Sequence, residues 1–270
     1  MTREPGVILD LAVAVLSAAE PAEKVAAAGR AVSACSGLKG YAPGAARPSD
    51  RPARPERPLL VAPRAVPRRR LGTTAGRIAL LHALAHIEFN AIDLAFDMAA
   101  RFAAEVDSEG LDAAAFIADW IGVGGEEARH FGMLAARLAE LGAAYGDHPA
   151  HDGLWEAAES TRNDLLARLS VAPMALEARG LDVTPGMIER LASARDAASA
   201  DILRIIYADE VGHVAIGVRW FEAICAARTL EPRATFRNLV AQHLAGGLKP
   251  PFNTKARAEA GFSSAYYEAV

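Results

Sequence analysis

Between Thr73 and Ala227 the apolar residues recur at helical spacing almost without a break, in segments far longer than a strand. One segment runs from Thr73 to about Val106, with Ile78, Leu81, Ala85, Glu88, Ile92 and Ala95 on or near one stripe. A second runs from about Leu111 to Leu141 and closes at Gly142. A third starts near Leu154 or Trp155 and stops at Gly180, with Pro173 inside it as a kink. Thr184-Pro185 has the form of an N-cap followed by an N1 proline, opening a short helix to about Arg195. A fourth long helix covers Ala197 to Ala227, and a shorter one follows Pro232. No period of 20 to 50 residues repeats, so the four long segments predict an all-α helical bundle rather than a solenoid.

Composition supports this. The chain is 52% hydrophobic but only 6% aromatic, so much of its apolar mass is alanine and leucine, which favour helix over strand. Cys35 and Cys225 stand far apart, which excludes a disulfide framework and a thiolate zinc site and fits a reducing, cytoplasmic setting. A net charge of -4 excludes a protein that coats nucleic acid by bulk electrostatics. No stretch approaches the roughly 18 to 20 continuous apolar residues of a membrane span, and Val7 to Ala19 reads as an amphipathic helix rather than a leader.

Four regions follow: N-terminal helices over 1–40, a Pro/Arg-rich extended arm over 41–72, the four-helix bundle over 73–230, and a C-terminal helix and tail over 231–270. From Tyr41 to Arg70 there are seven prolines and eight arginines against Asp50 and Glu56, a formal +6 that leaves -10 for the rest of the chain. Proline at this density forbids helix and favours extended backbone. Two roles fit the arm: lying across the protein's own acidic helices with Leu59, Leu60, Val61 and Val66 in grooves, or binding a polyanion such as a nucleic acid.

The chemistry lies in where acids and histidines fall on the long helices. Glu126-Glu127-Ala-Arg-His130 occupies the second, and Asp209-Glu210-Val-Gly-His213 the fourth. A Glu and a His three apart project from one helical face within a turn, so each pair can grip a metal ion. The spacing alone is weak evidence; it gains force because both pairs sit mid-helix among apolar neighbours and both Glu follow an acid. One further Glu from each remaining helix would complete a dinuclear site, and Glu88 and Glu177 supply them. The order becomes Glu88 with Glu127 and His130, then Glu177 with Glu210 and His213. Four buried carboxylates demand counter-charge, and two divalent ions balance them with both imidazoles neutral. Oxygen-rich ligation with one nitrogen per metal suits iron first and manganese second. Glu127 and Glu210 are assigned as bridging ligands, and Glu88 and Glu177 as terminal ones. Glu126 and Asp209 are expected behind them, accepting hydrogen bonds from histidine or arginine, with Tyr207 and His86 as further neighbours. Gly122, Gly124, Gly125, Gly212 and Gly217 mark either a substrate channel or close packing, with packing preferred at Gly212 and Gly217.

This ligand order resembles the ferritin-like di-iron carboxylate superfamily. The stretches Ala85-His-Ile-Glu88, Glu126-Glu-Ala-Arg-His-Phe131, Leu176-Glu-Ala-Arg-Gly-Leu-Asp182 and Asp209-Glu-Val-Gly-His-Val-Ala-Ile-Gly217 are similar to a bacterial ferritin-like family of unknown function. The similarity extends from the arm to Pro250-Pro-Phe-Asn253 and Lys255-Ala-Arg257. It implies the ferritin-like four-helix bundle and the six ligands, but no substrate. A more distant similarity, to the di-iron hydroxylase of a tRNA adenosine, would give the basic arm a purpose. The expected activity is oxygen activation by an oxidoreductase or hydroxylase, acting on an unknown small molecule with an unknown electron donor. The alternative is a metal-handling, ferroxidase-type protein without an organic substrate. A homodimer is compatible with either.

Overall fold

The computed structural model describes residues 5–66 and 71–268; Pro67 and Arg68, Arg69 and Arg70 of the arm lie outside the described residues. Among them the protein is all helical, with no strand and one isolated parallel bridge, Leu60 to Ala150. Helices α1 (Pro5–Ser17) and α2 (Pro21–Cys35) precede α3 (Thr74–Ser108) and α4 (Ala113–Glu140). Next come α5 (Gly153–Ser160), α6 (Leu165–Val171) and a π turn (Ala172–Glu177) that leads into α7 (Ala178–Ser193). They are followed by α8 (Ala197–Ala227), α9 (Pro232–His243) and α10 (Thr254–Glu259).

Helix starts are set by side chains that accept otherwise unpaired backbone N–H groups. Thr73 accepts from Gly76 at α3, Asp112 from Ala115 at α4, Asp164 from Ala167 at α6 and Asp196 from Ser199 at α8. Helix α3 packs along α4, α4 against α8, and α8 against α6, the π turn and α7, while α1 and α2 cover α3 and α4. One contiguous apolar core extends from Ile8 in α1 to Tyr267 near the C-terminus. Helix α3 is long and apolar enough to cross a membrane, with a mean hydropathy of 1.3, but 78% of its apolar window is buried inside the protein.

The third predicted segment differs most from expectation. It breaks after Ser160, where the Arg168 guanidinium donates to the Ala158 carbonyl at the end of α5. At Pro173, which has no N–H to continue the α-helical ladder, the chain widens into the π turn. It does not stop at Gly180 but continues to Ser193. Thr184-Pro185 therefore opens no helix: Pro185 sits inside α7. The carbonyl four residues before it, on Leu181, accepts from Asn253 Nδ2 at 3.1 Å, so the bond that proline removes is replaced from the C-terminal tail.

The arm contains no helix between residues 41 and 62. Two of its described arginines pair with the protein itself: Arg51 with Asp152 and Glu159, and Arg54 with Asp93 and Asn90. The Leu59 and Leu60 side chains, expected in grooves, are instead exposed, because the residues that seat the arm are Pro52 and Pro58, both buried.

Candidate metal centre

Glu88 comes from α3, Glu127 and His130 from α4, Glu210 and His213 from α8, and Glu177 from the last position of the π turn. Ligand atoms of Glu88, Glu127, His130 and Glu210 all lie within 4.8 Å of one another, a group able to hold a metal ion. Glu127 is central. Its Oε2 lies 3.3 Å from His130 Nδ1, and its Oε1 lies 2.9 Å from His213 Nδ1. His130 Nδ1 is also 3.3 Å from Glu88 Oε2, and His213 Nδ1 is 3.8 Å from Glu210 Oε2.

Both imidazoles thus turn Nδ1 toward the carboxylates, and each is anchored through Nε2 by an acid of the opposite helix. His130 Nε2 is 2.9 Å from Asp209 Oδ2, and His213 Nε2 is 2.7 Å from Glu126 Oε2. The residue before each central Glu therefore braces the histidine of the other motif. Such bonds fix ring orientation and tautomer. Arg129 Nη2 adds a contact to Asp209 at 2.5 Å.

No lysine or arginine is hydrogen-bonded to the four glutamates among the described residues; the charged groups acting on them are one another and the two histidines. Burial first, and then the Glu127 charge, push Glu88 up to about 8 and Glu177 up to about 7, and hold Glu210 well above the usual carboxylate range. Burial also acts to raise Glu127, but His213 and His130 outweigh it and hold this carboxyl far below its ordinary value. Burial works against charge on the histidines, yet their carboxylate contacts lift His130 to about 10 and raise His213 strongly. Two buried carboxylate oxygens, Glu177 Oε2 and Glu210 Oε2, have no hydrogen-bond partner, and Glu127 Oε1 and His213 Nδ1 meet only each other, at 2.9 Å. Orphaned buried polar atoms are rare. Here they belong to residues read from the sequence as ligands, and oxygen with imidazole nitrogen is a donor set suited to a divalent ion.

Two expected neighbours lie elsewhere. His86 is two residues from Glu88, which on a helix turns it to the opposite face; its ring nitrogens meet the Tyr145 hydroxyl at 2.9 Å and Asn90 Nδ2 at 3.1 Å. The Tyr207 hydroxyl accepts from Asn253 Nδ2 at 3.1 Å. The glycines also separate. A Cβ on Gly217 would lie 2.5 Å from the Pro173 ring and one on Gly124 2.5 Å from Phe96, so both are packing points, whereas Gly212 faces open space. None of the five lines the cavity that reaches the glutamates. That cavity, about 220 Å³, opens between α3 and α7 and has Glu88, Glu177 and Glu210 in its wall. Apart from these three glutamates its lining residues carry no motif, so only packing could reveal it.

Fold and site together define an all-helical protein with a buried glutamate–histidine cluster able to hold a metal ion. The chain belongs to the family described as "Protein of unknown function (DUF455)", whose profile matches residues 17–268. It is 46% identical over 209 residues to a Haemophilus influenzae protein named "Uncharacterized protein", covering 77% of this chain and 73% of that one. No solved structure matches.

Proposed function

We propose that this chain is a ferritin-like, carboxylate-bridged di-metal protein that activates oxygen as an oxidoreductase or hydroxylase. The observation that carries this reading is the buried group of Glu88, Glu127, His130 and Glu210, whose ligand atoms lie within 4.8 Å of one another, with Glu210 Oε2 and Glu177 Oε2 left without a hydrogen-bond partner. Glu88, Glu127 and His130 would hold one ion, and Glu177, Glu210 and His213 the other, with Glu127 and Glu210 shared. Iron is the first choice and manganese the second. When bound, such ions supply redox chemistry and open coordination positions for oxygen. The chain's own residues would hold the ions through these four carboxylates and two imidazoles, and they set both imidazoles through Asp209 and Glu126.

Metal analysis of the purified protein and oxygen uptake by the reduced, iron-loaded protein test this reading. About two ions per chain with sustained oxygen consumption on a reductant is the expected result. Protein that takes up no iron or manganese would overturn the site. Bound metal without turnover on any reductant would overturn the activity.

A further inference from the structure

The cavity beside the cluster has a composition of its own. Its rim carries Ile87, 39% exposed, and Arg179, whose side chain is 38% exposed. Inward from the rim the wall is aliphatic, including Leu94, Leu203, Ile206 and Met187. At its buried end stand Glu88, Glu177 and Glu210. The π turn helps to shape it: spacing of i to i+5 brings Ala172 and Glu177 toward one face, and both line the cavity.

Gly180, within α7, is one of the residues that line the cavity. No positive φ requires glycine there, and a Cβ built on it meets nothing within 4 Å, so a larger side chain has room to be placed at this point of the wall.

We propose that this cavity binds an uncharged, apolar organic molecule of about one-ring size and presents it to Glu88, Glu177 and Glu210. This names the substrate class of the centre proposed above and rests on that reading. Size follows from the volume, about 220 Å³, against the ~150 Å³ apolar cavity that takes benzene. Lack of charge follows from the wall. Apart from the glutamates its only ionic group is Arg179, at the rim, with Nη1 donating to the carbonyls of Lys249 and Pro251. An anion carried inward would lose its hydration and face the carboxylates, and an ammonium would find a free carboxylate only where no metal ion is held by them, so neither suits the loaded site.

The test uses the full chain, metal-free and loaded with Mn2+, titrated by calorimetry with toluene, benzoate and benzylammonium. Toluene is expected to bind both forms, and the two charged probes at least about tenfold more weakly to the loaded form. Gly180→Leu is expected to weaken toluene binding by about tenfold while leaving manganese stoichiometry unchanged. Should Gly180→Leu fail to fold, Gly180→Ala, better suited to a helix, is expected to show a smaller weakening in the same direction. Toluene binding unchanged in both variants, or benzoate or benzylammonium binding as tightly as toluene, would overturn the proposal. Failure of manganese uptake with toluene binding retained would instead sink the metal centre and leave the apolar site standing.

Discussion

Helix α3 contributes to two sets of buried acids that are neutralised in opposite ways. Asp93 and Asp97, one turn apart, are met by cations built into the chain: Asp93 by Lys24 at 2.5 Å and by Arg54, Asp97 by Arg168 at 2.5 Å and Arg101 at 2.7 Å. On α7, Asp182 is likewise paired with Arg257 at 2.7 Å, between the rings of Phe252, Phe262 and Tyr267. Less than two turns from Asp93, Glu88 joins three other glutamates that have only histidines beside them. A buried acid is costly unless paired. The aspartates carry their counter-charge with them and fasten α2, the arm, α6 and α10 to the helices they pack on. The glutamates have no lysine or arginine at hydrogen-bond distance, only His130 and His213, whose protonation they favour.

The sharpest way to break this comparison is Glu127→Ala, which is expected to lower metal content from about two ions per chain to one or none; full occupancy would sink the ligand assignment. The counterpart is Asp97→Ala. Stranding the buried Arg168 should cost about 3–5 kcal/mol in urea unfolding, with metal per folded chain unchanged. A loss of metal without loss of stability would reverse the roles assigned to the two sets.

A third prediction uses pH. In the metal-free protein Glu177 and Glu88 are raised to about 7 and about 8, and His130 to about 10. Groups raised on folding stabilise the protein at low pH and lose that contribution as pH climbs through their folded values, here from the unfolded values of roughly 4.5 and 6.5 upward. Burial lowers His82 and His86 to about 4, so their contribution is present above about 6.5 and lost as pH falls toward 4. Above pH ~6.5 these two histidines no longer contribute a slope, and the cluster does. Stability of the metal-free protein should therefore fall between pH ~6.5 and ~8, while the stabilisation by added Mn2+ grows over the same range, because its ligands must be deprotonated. Denaturation curves at several pH values check both, and a flat metal-free profile would count against the paired imidazole–carboxylate arrangement.

The smallest effect concerns the seat of Glu177. Gly217→Ala would press a methyl group onto Pro173 and should cost about 1–3 kcal/mol, whereas Gly212→Ala, in open space, should stabilise the helix by about 0.4–1 kcal/mol. Thermal unfolding of the two variants separates them, and equal shifts would mean that the π turn is not held through Gly217.

Much of this was legible in advance. α1, α3, α4 and α8 fall close to their expected bounds, because apolar spacing within a helix is a local property. The pairing of Glu127 with His130, and of Glu210 with His213, depends only on three-residue spacing. Legibility failed at Pro185, whose helix-start signal is overruled by Asn253, 68 positions away in the chain, and at Leu59 and Leu60, exposed although apolar. Lys24 and Arg168 gave no warning either: a lone cation in a helix reads as solvent-facing until its buried partner is known.

By itself the sequence determined the helices and the face of each that carries acids and histidines, since both follow from 3.6 residues per turn. Only the tertiary structure decided that Asp209 braces His130 across 79 residues and Glu126 braces His213 across 87. It also decided which buried acids find a cation, and that a cavity opens between α3 and α7. These are products of how helices distant in sequence come to rest against one another, and no local spacing encodes that.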